Sequence, residues 1–506
     1  MPIVRSKISF GQHSSLIAVG IFLFSLILRL RLMGVGAFHC DCLMLVEAAE
    51  KTVNTGILHY SHSHGFPLTS ILAAGFVALA QKMKWESILA VNFMSVVFSS
   101  LTVWVFFHFV RKMLTEGTAV ISSFLLSVSP IYLGNSLYGN SHMPAAFFIL
   151  LSLYWVLKFS SDDKDSSLLW SSLFFGLAMA ARVQDAVAVY PAFLTLLIFK
   201  KGEAPGEKIF RAPWLIFTLL GGSICLIFYA PILIRSVVPG APSVVYFLNK
   251  ELFSFLTFGH YLHYFRSYLD LLRQNTLYLG LALFMVSLIV IPSVKKRIFI
   301  GVWFFSVLLS FALVAFGLPR FLIMSLPPLY IGIGFVLDWL NHQSRKEFAV
   351  LSLLLVLILS IVPFKTYVSI FEERHLSDVT GRFAGWIKDN VEPDSVVIVG
   401  DGSVFYLRAG VKLLSRPLAN PYFKKNELKT FKEELDNLLA KKVPVYITCH
   451  GLKSYDPFSI FFKGMRDYYG LELKGQQMFQ YWHRGVLKDS VVPCELYLVH
   501  SQGGCL

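Results

Sequence analysis

Apolar residues along this chain come in blocks of bilayer-spanning length, separated by short polar turns. Blocks near 14–33, 87–110, 117–133, 144–158, 167–182, 184–199, 213–234, 274–293, 298–317, 321–339 and 348–364 each read as a membrane helix. A hydrocarbon core of about 30 Å asks for roughly twenty such residues, so the shorter blocks extend into their flanks. The result is about eleven transmembrane helices over 1–364. A further block at 66–81 is apolar enough either to cross or to lie along the interface. After 365 the pattern changes. Val396 to Gly400 and Val445 to Thr448 are buried-strand runs, and Leu428 to Lys442 is amphipathic with a helical period. A helix-like stretch carries Trp386 and Ile387, and Leu496 to Val499 closes the chain as a strand. The expected fold is a polytopic α-helical membrane domain, 1–364, followed by a small α/β domain, 365–506.

Charge decides the topology. With the N-terminus in the cytoplasm and 66–81 left uncrossed, the inner loops hold Arg5, Lys7, Arg111, Lys112, Lys158, Lys164, Lys200, Lys201, Lys208 and Arg211. They also hold Lys295, Lys296, Arg297, Arg345 and Lys346, as the positive-inside rule expects. If 66–81 crossed, every later cluster would move outside. The block is therefore expected to lie along the interface within an outer loop, 34–86, and the C-terminal domain to be extracytoplasmic. The first apolar stretch is too long for a signal-peptide core and reads as a signal anchor. Composition agrees: 15% of the 506 residues are charged and 55% hydrophobic, against about a quarter charged in soluble proteins. The net charge of +14 sits in clusters between apolar blocks, the distribution of topology signals and anionic-lipid contacts rather than of a nucleic-acid face. Gly400-Asp401-Gly402 lacks the spaced glycines of a dinucleotide loop, so no nucleotide site is expected.

With the orientation fixed, the outer-face polar residues can be named. The first outer loop holds His39, Asp41, Glu47, Glu50, His59, His62 and His64, and the second holds Asn135, Asn140 and His142. Arg182, Gln184 and Asp185 lie at another outer turn, His260, His263 and Arg266 in the next loop, and Arg320 follows Pro319. Each has an ordinary structural reading. Asp41 can cap the helix that runs to about Thr55, Arg182 and Asp185 can pair across a helix end, and Arg320 can snorkel. Their convergence on one side suits a site for a phosphorylated lipid and a hydroxyl acceptor, since arginine matches phosphate and a carboxylate serves as a base. Cys40 and Cys42 with His39, His59, His62 and His64 are zinc-type ligands, but spacings of one or two residues on a loop do not define a tetrahedral site.

At these residues the chain resembles the GT-C superfamily of polyprenyl-phosphate-sugar-dependent glycosyltransferases, which includes protein O-mannosyltransferases and the aminoarabinose transferases of lipid A. Leu28-Arg29-Leu30 ends the first span, and Phe38-His39-Cys40-Asp41 begins the loop where the family carries its catalytic acid. His64-Gly65-Phe66-Pro67-Leu68 resembles the segment opening the family's interfacial helices, and Ser129-Pro130 through Pro144 resembles its second outer loop. The run from Gly176 to Asp185 resembles its Gly-rich span ending in an arginine and an acid. Pro319-Arg320-Phe321 with Pro327-Pro328 resembles its late Pro-Arg-aromatic pattern.

The resemblance implies GT-C architecture and inverting transfer of a sugar from a polyprenyl-phosphate donor to a lipid, glycan or protein hydroxyl on the extracytoplasmic face. It implies Asp41 as general base, Arg320 and Arg182 as donor-phosphate ligands, and His39, His62, His64, Asn140, His142 and His263 as donor or acceptor contacts. The family often has Asp-Glu where this chain has Asp41-Cys42, and an acid where Asn140 and His142 stand. With so few carboxylates, no cofactor is expected to be required, a divalent metal being the alternative. The competing functions are a non-catalytic GT-C-like scaffold and a polytopic lipid or sugar transporter. A transporter would be expected to show internal repeats and polar groups at mid-membrane depth, and neither is evident.

Overall fold

The computed structural model describes residues 10–38, 40–61, 65–198, 213–236, 258–313, 318–343, 345–399, 412–415, 425–448, 469–483 and 486–501. The chain divides into two compact units, 1–34 with 45–375 and 35–44 with 376–506.

The first unit is a helical bundle. It comprises α1 (Phe10–Leu32), most of α2 (Cys40–Thr55), α3 (Pro67–Lys82), α4 (Ser87–Met113), α5 (Glu116–Val128), α6 (Pro130–Ser136) and α7 (His142–Asp162). It continues with α8 (Asp165–Ile198), α9 (Pro213–Ser236), α10 (Phe258–Val290), α11 (Val294–Leu313), a 3-10 segment (Pro319–Ser325), α12 (Leu326–Asn341) and α13 (Lys346–Leu376). Among the described residues nine helices are long and apolar enough to cross a bilayer, and the pair α5–α6, bent by 59°, makes a tenth. The span formed by the 3-10 segment and α12 is 94% buried and that of α4 72%, so these form the bundle's centre. Those of α9 and α13 are only 17% and 22% buried and lie at its periphery.

Hydrogen bonds show that α8 contains two of the expected spans. Ser152 and Ser171 pair at 3.0 Å halfway along α7, and Asp185 meets His142 at the start of α7. Ser160, near the end of α7, donates to the carbonyl of Leu196 at 3.1 Å. The chain therefore climbs one side of α7 and returns along it, reversing at Arg182, whose φ of −165° and ψ of 99° are extended rather than helical. Counting α8 as two spans brings ten to the expected eleven.

The ambiguous block, α3, starts and ends at the same end of the bundle. Thr69 donates to Ala181 O at 2.9 Å, one residue before the reversal. After α3, the first turns of α4 are tied to the loop that opens α7: Asn92 accepts from Gly139 N at 2.8 Å, and Ser95 accepts from Asn140 N. A 16-residue helix whose two ends stay on one side does not cross. One boundary differs from the sequence reading. His260, His263 and Arg266, expected in a loop before a span at 274–293, lie instead on α10, which begins at Phe258 and breaks at Leu277, where φ is 60°. Helical propensity carries through the polar stretch, and the break falls beside Asn275, whose side chain is used elsewhere.

In the second unit, α14 (Val379–Asn390), β1 (Val396–Val399), β2 (Lys412–Ser415), α15 (Lys425–Ala440), β3 (Val445–Thr448), β4 (Tyr469–His483) and β5 (Val486–Ser501) make an α/β layer. The sheet order is β2-β1-β3-β5-β4, parallel through β2, β1 and β3 and antiparallel at β5 and β4. Both faces of β1 are covered, which is why it reads as an unbroken apolar run. Ile398 packs with Leu435 of α15 and Val397 with Ile387 of α14. The unit's larger segment begins at Leu376, where the sequence reading had 365, because α13 continues as a polar helix beyond its apolar stretch. Gly400-Asp401-Gly402 lies outside the described residues.

Candidate active site

At the end of the bundle where the chain reverses, α3, α7, α8 and the 3-10 segment meet. Each contributes through a local break in regular structure. Gly65 and Phe66 take φ values of 101° and 58°, with Pro67 starting α3 directly after them. A Cβ at Gly65 would press on Ile232 Cδ1, the end of a side chain that can shift, so it is chiefly the backbone conformation that calls for glycine there. The double left-handed turn delivers the ring of Phe66, 1% exposed, beneath the guanidinium of Arg182, whose Cζ is 4.9 Å from the ring centroid. Arg182 Cζ also lies 5.8 Å from the ring of Phe321, and Arg320 Cζ lies 5.4 Å from that same ring.

Polar contacts organise the cluster. Asp185, 1% exposed, accepts from Arg182 Nε at 3.2 Å through Oδ1 and from His142 Nδ1 at 2.7 Å through Oδ2. Arg182 Nη1 donates to Ser141 Oγ at 2.8 Å. The edge of the His142 ring meets Phe321, with centroids 5.8 Å apart. Such a set combines cations, flat apolar faces and an oriented imidazole in a setting shielded from water, where electrostatic contacts are stronger than at the surface.

The predicted site residues separate into groups. Arg182, Asp185 and His142 are joined, and Arg320 reaches them through Phe321. The expected pairing of Arg182 with Asp185 is present, and it spans the break rather than a regular helix end. Asn140 supports the loop: its Nδ2 donates to the carbonyls of Asn135 and Tyr138, and its Oδ1 accepts from the backbone of His142 and Met143. It thereby starts α7 and fixes where His142 stands. Asp41 occupies the first turn of α2, partly buried, on the segment 35–44 that groups with the second unit. His263 is exposed on α10, its ring 5.4 Å from that of Tyr264. His39, His62 and His64 lie outside the described residues. Sequence reasoning named Phe66 only as part of a motif and missed its place beneath Arg182, along with Ser141 and the link from His142 to Asp185, which are brought together only by the reversal in α8. Glu47 is also worth noting, since partial burial in α2 raises its carboxyl above the ordinary range, Lys51 opposing. Among the described residues, no three His, Cys, Asp or Glu side chains are grouped to hold a metal.

Residues 62–235 match the sequence model of a family described as dolichyl-phosphate-mannose-protein mannosyltransferase. A protein of Aquifex aeolicus (strain VF5), described as uncharacterized, is 26% identical over 261 residues, covering 50% of this chain. The match spans 49%, about half, of that relative's length. Among solved structures, ArnT from Cupriavidus metallidurans in the apo state aligns with a TM-score of 0.61 and 12% identity, over 97% of this chain and 98% of that one. The same protein bound to undecaprenyl phosphate gives 0.58 at 10% identity, over 96% and 98% of the two chains. An oligosaccharyltransferase of Archaeoglobus fulgidus gives 0.54 at 12% identity, over 90% of this chain and 73% of that one. A structure of it was also determined with zinc and sulfate. The chain has the GT-C fold, and the resemblance read from its loops extends to nearly its whole length.

Proposed function

We propose that this GT-C-fold membrane protein is a glycosyltransferase that moves a sugar from a polyprenyl-phosphate carrier to a hydroxyl acceptor on the extracytoplasmic side. The observation that carries this reading is the convergence of Arg182, Arg320 and the Asp185–His142 pair at the bundle end where α3 lies along the interface. The basic clusters at Lys112, Lys164, Lys295 and Arg345 gather at the opposite end, which supports assigning the site to the outer face. The relatives point the same way, one having been crystallised with undecaprenyl phosphate.

In this mechanism the acceptor oxygen attacks the anomeric carbon as Asp41 takes its proton. The bond from that carbon to the phosphate oxygen breaks, the configuration inverts, and polyprenyl phosphate leaves with the bonding electrons. Arg320 contacts the phosphate and meets the charge that grows on it. Arg182, held by Asp185 and Ser141, keeps a second positive charge nearby. Holding donor and acceptor in a reactive arrangement contributes most of the advantage, with the proton acceptor adding roughly 100-fold or more. No nucleotide enters this reaction. Whether a divalent ion assists is tested by chelation in the same assay.

The test is sugar transfer or release from a panel of polyprenyl-phosphate sugars by the purified protein in detergent, wild type beside Asp41→Asn. Turnover that falls by about 100-fold or more in the variant supports the reading and identifies the donor. Equal turnover in both proteins removes Asp41 from the mechanism. Carrier binding without turnover in either would favour a scaffold or transporter.

A further inference from the structure

His142 carries a ring nitrogen that the cluster leaves unanswered. Its Nδ1 meets an Asp185 carboxylate oxygen at 2.7 Å, and a carboxylate paired with an arginine only accepts, so the hydrogen is on Nδ1. In the neutral ring the lone pair is then on Nε2. That atom is buried in a side chain 2% exposed, and among the described residues it meets no hydrogen-bond partner. Buried polar atoms in native proteins are almost always satisfied, so an acceptor held in one orientation and left open among these residues has room in its chemistry for a donor supplied by a ligand. Its neighbours restrict what that donor is. The ring stands against Phe321, whose face is shared by the guanidinium groups of Arg182 and Arg320. A phosphate drawn to those cations would bring the group bonded to it against His142 and the two phenylalanines. A sugar offers hydroxyl donors together with C–H faces that pack on aromatic rings.

We propose that His142 Nε2 accepts a hydrogen bond from a hydroxyl of the carrier-linked sugar, and that Asp185 is the positioning residue that fixes its tautomer. This rests on the glycosyltransferase reading and adds a sugar-selecting contact to it. Asp185 does so by holding Nδ1–H, and the Asn140 amide does so by setting the first turn of α7. An Asp185→Asn change would present an N–H to Nδ1, move the ring hydrogen to Nε2 and turn the acceptor into a donor.

The experiment pairs variants with donor analogues and adds a readout that needs no turnover. Steady-state transfer from the active donor is compared with that from its monodeoxy analogues, in wild type and His142→Phe. Binding of undecaprenyl phosphate alone is measured for both proteins. One deoxy analogue should cost the wild type about tenfold in kcat/KM and cost His142→Phe nothing, while binding of the bare carrier is unchanged. His142→Gln, which keeps an acceptor oxygen, should recover part of the loss. Nitrogen-15 spectra of histidine-labelled protein, with His142 assigned by its disappearance in His142→Gln, should show an unprotonated Nε2. That resonance should shift with polyprenyl-phosphate sugar but not with polyprenyl phosphate. It should be protonated in Asp185→Asn. No deoxy analogue coupled to His142, or an Nε2 resonance indifferent to the sugar, would overturn the proposal and leave a buried water or a purely structural ring. A sugar-dependent shift without turnover would sustain this contact while the transfer reading fails. Turnover without coupling would remove this contact alone.

Discussion

Arg182 links the fold to the site through one residue. Its backbone is the break at which α8 reverses, and its side chain joins Asp185, Ser141 and two aromatic faces. Arg182→Ala would leave Asp185 buried without its cation and should cost about 3–5 kcal/mol, read as a lowered midpoint of thermal unfolding in detergent. Arg182→Lys keeps a charge but lacks the flat fork and the Nε donor. It should fold and still lose at least about tenfold in transfer, with unchanged unfolding excluding a simple stability effect. Gly65→Ala tests the turn on the other side of the guanidinium. With φ at 101° and Ile232 Cδ1 in the way of the new Cβ, it should destabilise by about 1–3 kcal/mol and displace Phe66. Of these residues the sequence made Arg182, Asp185, His142 and Arg320 visible as polar groups at helix ends. It could not pair His142 with Asp185, because contacts 43 positions apart leave no local pattern. The roles of Phe66 and Phe321, visible only as parts of motifs, were hidden for a different reason: aromatic residues are ordinary in a membrane helix, and only packing distinguishes a ring beneath a cation from one facing lipid.

Among the elements, the bend between α5 and α6 shows how a broken helix keeps its backbone satisfied inside a bundle. Pro130 cannot donate a hydrogen bond, and the chain turns by 59° at Ser129. Asn275 of α10 fills in, its Oδ1 accepting from Ser129 Oγ at 3.0 Å and from Ile131 N at 2.9 Å while its Nδ2 donates to Tyr330. Asn275→Leu would keep the volume and strand a buried N–H, for which about 1–3 kcal/mol of destabilisation is expected in the same unfolding measurement. If the variant melts like wild type, water has replaced the amide and the bend does not depend on it. Helix existence was legible throughout the membrane part because long apolar blocks permit little else in lipid. Boundaries were less so. The 274–293 block starts its helix at Phe258, since polar residues at an interface can be helical without being apolar. In the second unit the β4–β5 pairing, from Tyr469 opposite Ser501 to His483 opposite Val486, gave no clean alternation, and only the run at Leu496 to Val499 was apparent.

For the whole molecule the remaining question is which way it faces. The hydrogen bonds fix a relative arrangement: α3, the reversal at Arg182 and the loop before α7 share one end of the bundle, and the Lys112–Asp162 contact at 3.9 Å marks the other. The positive-inside rule converts that into an absolute orientation, with the basic end cytoplasmic. Four exposed positions test it: Thr55 and Gln81 at the ends of α2 and α3, and, at the basic end, Lys164 in the turn before α8 and Lys295 in the first turn of α11. Each is replaced by cysteine in turn. Intact cells are labelled with a membrane-impermeant maleimide, and the increment over the wild-type background is measured. Thr55→Cys and Gln81→Cys should label at once, whereas Lys164→Cys and Lys295→Cys should label only after permeabilisation. The pair Thr55 and Gln81 carries the most information, because a crossing α3 would separate them and give opposite results. That outcome would also transfer every later loop to the other side, leaving Arg182, His142 and Arg320 facing the cytoplasm. A lipid-phosphate sugar presented on the outside would then have no access to them. Agreement of all four would bring the site to the face on which polyprenyl-linked sugars are proposed to be used.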